Sequence, residues 1–127
     1  MIVDTSAIIA IVRREPEGSA FFERVLEASR PAMSAATFVE ASLVIEGRGG
    51  RQAGADLDSF FAAAGIEVVA VTPDTARLAR GAWRVWGKGN HPARLNVGGC
   101  FPYALAQGEP LLFKSEGFAR TDVRRAL

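Results

Sequence analysis

The sequence predicts an α/β fold of three layers, with a mostly parallel central sheet flanked by helices. Three observations carry that prediction. Four short apolar runs, Ile2-Val3, Ala32-Met33, Ile66 to Val71 and Leu111 to Phe113, have the length and boundaries of buried strands. The segments between them repeat apolar residues at three-and-four spacing, as helices with one buried face do. Finally, the two kinds of segment alternate along the chain, which places a parallel sheet between two layers of helices.

Taken in order, Ile2-Val3 runs straight into Asp4-Thr5-Ser6 and then a second apolar stretch to Val12, giving strand, turn and helix. Glu15-Pro16-Glu17 opens a helix over 16–29, with proline in the first turn and acids near the positive end of the helix dipole. Its apolar stripe is Ala20, Phe21, Val25 and Ala28. After Arg30-Pro31 comes the short strand Ala32-Met33, and Ser34 is a suitable cap for a helix from Ala35 to about Gly47. Gly47 to Gly54 reads as a glycine-rich loop, and Asp56 to Ala64 as a further helix. Thr72-Pro73-Asp74 begins a helix that reaches about Trp86, with Arg77, Arg80, Arg84 and Lys88 in a basic stripe. The loop Gly87 to Arg94 extends that positive run. The next helix is expected from Cys100, because Pro102 belongs in a first turn. The chain then turns at Gly108-Glu109-Pro110 into the last buried strand, and 119–123 is expected to form an edge element.

At 127 residues the chain fits one domain spanning 1–127, and its 49% hydrophobic content excludes disorder. A net charge of +1 gives no overall attraction for nucleic acid, so any such attraction rests on how the 15 Lys and Arg are placed. One cysteine, Cys100, excludes an internal disulfide and a cysteine-cluster zinc site. The N-terminal apolar run carries Asp4 and lacks a basic lead, so it does not read as a signal peptide. No apolar run approaches membrane-spanning length. A cytoplasmic protein is expected.

Two acids stand out. Asp4 ends a buried strand, and ligands of parallel α/β sheets bind in the crevice outside the carboxyl ends of the strands. It also suits the role of helix cap, and the two roles are compatible. Glu40 shares a helix side with Ala36, Leu43, Val44 and Gly47, where a carboxylate is out of place unless a cation or hydrogen bonds compensate it. An arginine or a metal ion would serve. The basic stripe and loop, Arg80, Arg84, Lys88, His91 and Arg94, suit phosphate contacts, with His91, the only histidine, expected as an exposed loop residue.

These residues line up with a family. Ile2-Val-Asp-Thr-Ser-Ala7, Glu40 after Ser34, Lys88-Gly-Asn-His91, Leu95-Asn96 before Cys100-Phe101, and Leu111-Leu-Phe-Lys114 with Phe118 and Thr121-Asp122 resemble the PIN-domain ribonucleases, in particular their VapC toxin branch. The resemblance implies a PIN-like sheet, a homodimer, a VapB-type antitoxin and cleavage of RNA dependent on Mg²⁺ or Mn²⁺. It places the metal and the chemistry at Asp4 and Glu40, with Thr5 or Ser6 beside the metal's water shell.

The likeness breaks at two positions. The family usually has aspartate where this chain has Gly99 and Gly117, which leaves Glu116 and Asp122 as displaced substitutes for metal ligation. The expected function is therefore a VapC-like endoribonuclease impaired by two missing acids. The alternative is a non-catalytic PIN-domain protein that binds antitoxin, RNA or both. Phe21, Phe22 and Val25 with Phe60 and Phe61 supply the apolar surface an antitoxin would need.

Overall fold

The computed structural model describes residues 1–127. Its strands are β1 (Ile2–Val3), β2 (Ala32–Ser34), β3 (Glu67–Val69) and β4 (Leu111–Leu112). They form one sheet in the order β3-β2-β1-β4 with every pair parallel. The helices are α1 (Thr5–Val12), α2 (Gly18–Glu27), α3 (Ala35–Ala64), α4 (Pro73–Trp86) and α5 (Val97–Leu105), followed by a 3-10 turn at Phe118–Arg120.

Side-chain alternation along the strands splits the core in two. Val3, Met33 and Leu112 point into one cluster with Ile8, Val25 and Leu57, against α1, α2 and α3. Ile2, Ala32 and Leu111 point into the other, with Ala79, Ala82, Cys100 and Phe118, against α4 and α5. A parallel sheet buried on both faces explains why its strands read as continuous apolar runs. None of the helices is long and apolar enough to cross a membrane.

Several expected elements are corrected. Gly47 to Gly54 is not a loop: α3 continues through it, broken only at Gly50, whose φ of 73° is open to glycine and strained for other residues. Gln52 reinforces the second half through a 2.9 Å bond from Nε2 to Asp56 Oδ1, one turn ahead. On α3 the core face is Thr37, Ala41 and Ile45, whereas Leu43 is 68% exposed and Gly47 lies outside the core. Glu40 therefore borders the core instead of lying within an apolar side. On α2, Ala20 is exposed and Gly18 takes a place in the core, where a Cβ would overlap the Ala10 carbonyl.

The strand expected over 66–71 is confined to β3. Helix α5 starts at Val97, ahead of Cys100, because Asn96 Oδ1 accepts from Gly99 N at 2.8 Å and caps it. Pro102 thus lies inside the helix, which forgoes the bond to the Gly98 carbonyl. The edge element is displaced as well. Residues 118–120 form the 3-10 turn, and the segment that pairs with β4 is centred on Arg125, with Leu111 N bonded to the Arg124 carbonyl and Ala126 N to the Leu111 carbonyl.

Candidate active site

At the carboxyl edge of the sheet lies an open cleft of ≈ 440 Å³, between the first turn of α1, the middle of α3's first half, the start of α5 and the loop after β4. Asp4 and Glu40 both line it. The order of the strands explains the convergence: β1 is central, so its C-terminal residue meets groups from elements on either side.

Asp4 caps α1 and is only 5% exposed. Its Oδ2 accepts from Ser6 N at 2.9 Å and from Ser6 Oγ at 2.5 Å. Burial raises its pKa above the ordinary carboxylate value, and the Ser6 bonds oppose that rise. Glu40 reaches the cleft from α3, where Thr5 Oγ1 donates to its Oε2 at 3.2 Å. Its pKa is also raised, first by burial and then by the negative charge of Asp4, with the Thr5 bond opposing. None of the ion pairs in the molecule involves either acid. No arginine pairs with Glu40, and two neighbouring carboxylates share a cleft without an ion pair to either.

The hydroxyls have fixed duties. Thr5 Oγ1, one of the two hydroxyls that the resemblance offers for a metal's water shell, donates to Glu40. Ser6 Oγ, the other, is used three times, donating to Asp4 and accepting from Lys114 N at 3.0 Å and Ser115 N at 3.3 Å.

Glu116, Gly117 and Gly99 line the same cleft. Asp122 does not. It accepts a 2.7 Å bond from the Tyr103 hydroxyl, which in turn accepts from Trp86 Nε1 at 3.0 Å, and it borders a different hollow near Gly108. That network withdraws Asp122 from the set of substitute ligands.

The two glycines differ in the room they leave. A Cβ at Gly99 meets only the Leu95 side chain closely, at 3.3 Å, whereas at Gly117 it stands 2.8 Å from the Ala93 carbonyl oxygen. Gly98, which the sequence did not single out, matters more directly: a Cβ there would overlap the Glu40 carboxylate. Only the doublet Gly98-Gly99 hinted at this close approach.

Of the five expected phosphate contacts, Arg94 lines the cleft, and it also borders a shallow depression formed with Lys88 and His91. Arg80 lies in a separate hollow with Trp83 and Phe101, and Arg84 is exposed on α4. Arg77 is engaged by Asp74 at 3.1 Å. His91 is half-buried, not exposed: its Nδ1 accepts from Ala93 N at 3.0 Å and its ring stands edge-on to Trp86, 4.7 Å between centroids.

No group of three or more His, Cys, Asp or Glu gathers in metal-holding proximity. The donors that are present still suit a hard divalent cation, because such ions bind through one or two carboxylates and retain waters. The unpaired state of Asp4 and Glu40 is the observation that fits.

Residues 1–122 match the PIN domain, and Ribonuclease VapC30 of Mycobacterium tuberculosis is 46% identical over 126 residues, covering 97% of this chain and 95% of that protein. The chain belongs to the PIN-domain family of VapC ribonucleases. Among other VapC relatives, the Ribonuclease VapC of Mycolicibacterium smegmatis is 46% identical over 125 residues, with 97% of each chain covered. VapC42 of M. tuberculosis is 43% identical over 129 residues, covering 99% of this chain and 98% of its own. The crystal structure of the M. tuberculosis VapC20 toxin shares the fold, with a TM-score of 0.72 over 97% of this chain and 98% of that one, at 18% identity.

Proposed function

We propose that this VapC-family chain is an endoribonuclease toxin of the cytoplasm that uses Mg²⁺ or Mn²⁺ and is impaired by glycine at positions 99 and 117. The observation that carries the reading is the pair of buried or half-buried carboxylates, Asp4 and Glu40, sharing a cleft without a cationic partner. Asp4 and Glu40 are the catalytic acids and would hold the cation with waters completing its shell, while Glu116, the third ligand expected from the sequence, lines the cleft without joining them in a three-acid cluster. The cation, when bound, supplies a Lewis acid for the scissile phosphate and activates water.

The chain's own residues set the geometry. Ser6 fixes one oxygen of Asp4, and Thr5 fixes one oxygen of Glu40, so both acids enter the cleft already ordered. Arg94 lies on the cleft wall where a phosphate of the bound strand would pass. Arg84 and Lys88 extend the positive surface for RNA, Arg80 stands apart from it in the hollow shared with Trp83, and His91 holds the loop that bears Arg94.

Two apolar surfaces suit partners. The groove of Ile11, Val12, Phe22 and Phe60 is assigned to a VapB-type antitoxin. Leu78, Trp83 and Val97, exposed on α4 and at the start of α5, are assigned to a homodimer contact.

The second reading, a PIN-domain protein that binds antitoxin or RNA without cleaving, is favoured by the absence of carboxylates at Gly99 and Gly117. Incubating purified chain with a mixed RNA pool, with Mg²⁺, with Mn²⁺ and with chelator, separates the two. Slow cleavage that requires the metal and disappears in Asp4→Asn supports the nuclease. RNA retention without any cleavage supports the binding protein.

A further inference from the structure

The loop after β4 is fastened at two points, one inside the cleft and one outside. Inside, the Lys114 and Ser115 amides both donate to Ser6 Oγ, which donates onward to Asp4 Oδ2. That hydroxyl has thereby filled its one donor and two acceptor places. Outside, the Lys114 ammonium lies 2.5 Å from Glu15 and 2.6 Å from Glu17, on the turn between α1 and α2. The residues that follow, Ser115 to Gly117, form part of the cleft wall.

We infer that Ser6 is a positioning residue that couples Asp4 to the 114–117 loop, so that a cation bound at Asp4 orders the wall that carries Glu116. The coupling follows from the chemistry of one oxygen. A hydroxyl that donates to Asp4 is polarised into a better acceptor for the two amides, and all three bonds persist only while the Asp4 carboxylate keeps its orientation toward Ser6. A cation that fixes the Asp4 carboxylate in one orientation removes the motion that would release them. The Lys114 clamp keeps the loop close enough for the amides to return, and its exposed ion pairs leave the Ser6 bonds as the contacts that answer to the cleft. This inference rests on the cation reading of the same cleft.

The test uses the full chain as wild type, Ser6→Ala, Ser6→Thr and Asp4→Asn, each checked for folding by circular dichroism. Two quantities are measured: the affinity for Mn²⁺ by titration calorimetry, and hydrogen exchange at the Lys114 and Ser115 amides by NMR, with Mg²⁺ as the diamagnetic cation. Wild type is expected to bind Mn²⁺ through Asp4, and Mg²⁺ is expected to slow exchange at both amides. Ser6→Ala weakens Mn²⁺ binding by about tenfold, speeds exchange at both amides without metal, and removes the response to Mg²⁺. Ser6→Thr, which keeps the hydroxyl, restores both.

Exchange in Ser6→Ala that matches wild type, with and without Mg²⁺, overturns the coupling while leaving the cation site intact. Wild type that binds no Mn²⁺ beyond the Asp4→Asn level overturns the cation reading and the metal response together. The exchange difference between metal-free wild type and Ser6→Ala then still decides whether Ser6 fastens the loop.

Discussion

Thr5 Oγ1 donates to Glu40 Oε2 at 3.2 Å, joining the first turn of α1 to a residue 35 positions later. Ser6, the next residue, turns the opposite way and donates to Asp4. Two consecutive hydroxyls thus hold two carboxylates side by side. That arrangement costs stability, because each acid is desolvated and Asp4 raises the pKa of Glu40.

The first prediction concerns that cost. Asp4→Asn should stabilise the metal-free protein at pH 7 by about 1 kcal/mol, as neutralising strained active-site charges commonly does. Both acids have folded-state pKa values above their ordinary 3.8 and 4.5. The folded state therefore binds protons more readily than the unfolded state in the range just above those values, and wild-type stability rises as the pH falls through it. Urea unfolding at pH 7 and pH 5 should show the advantage of Asp4→Asn shrinking at the lower pH. An advantage that grows there contradicts the assignment.

The same shifts fix the pH dependence of Mn²⁺ binding. Protons compete for both carboxylates, so affinity should climb as the pH rises through their raised pKa values and then level off. Calorimetric titrations between pH 5 and 8 provide the check.

Gly98 should tolerate no side chain without moving Glu40, since a Cβ would overlap the carboxylate. Gly98→Ala is expected to retain the helical circular dichroism of the wild type and to lose roughly tenfold to a hundredfold in Mn²⁺ affinity. Calorimetry on the purified variant measures it.

Restoring acids at the two glycines should have unequal effects. Gly99→Asp needs only a small shift of Leu95 and should leave stability within about 1 kcal/mol of wild type. Gly117→Asp must push against the Ala93 carbonyl and should cost about 1–3 kcal/mol. Urea midpoints of the single variants distinguish them.

The chemistry of the site was more legible in the sequence than its supports. Asp4 at the end of an apolar run and Glu40 on a helix beside small residues are local patterns, and both acids reach one cleft. Asp122 reads from the sequence as a displaced substitute ligand, but the Tyr103 hydroxyl holds it elsewhere, through a contact 19 positions away that no local pattern encodes. Gly50 shows the opposite limit. Eight residues rich in glycine and arginine read as a loop on propensity, yet packing of Ile45 and Leu57 in one core keeps both halves helical and confines the break to a single residue. The start of α5 was readable from Asn96, whose spacing to Gly99 is that of a cap, but Pro102 drew the boundary too late.

Packing also revises the antitoxin surface. Phe22 is exposed and lines the apolar groove with Phe60, whereas Phe61 is 5% exposed and belongs to the core. Phe22→Asp should reduce antitoxin co-purification with the unfolding midpoint nearly unchanged. Phe61→Asp should unfold the chain, so loss of co-purification in that variant carries no information about the surface.

The most direct test of the account is the rate of RNA cleavage in Mg²⁺ by wild type, Gly99→Asp, and Gly99→Asp combined with Asp4→Asn. Wild type is expected to cleave slowly, the chain with the acid at 99 restored at least about tenfold faster, and the combined variant not at all. Equal rates for wild type and Gly99→Asp, or cleavage that survives loss of the Asp4 carboxylate, would contradict it.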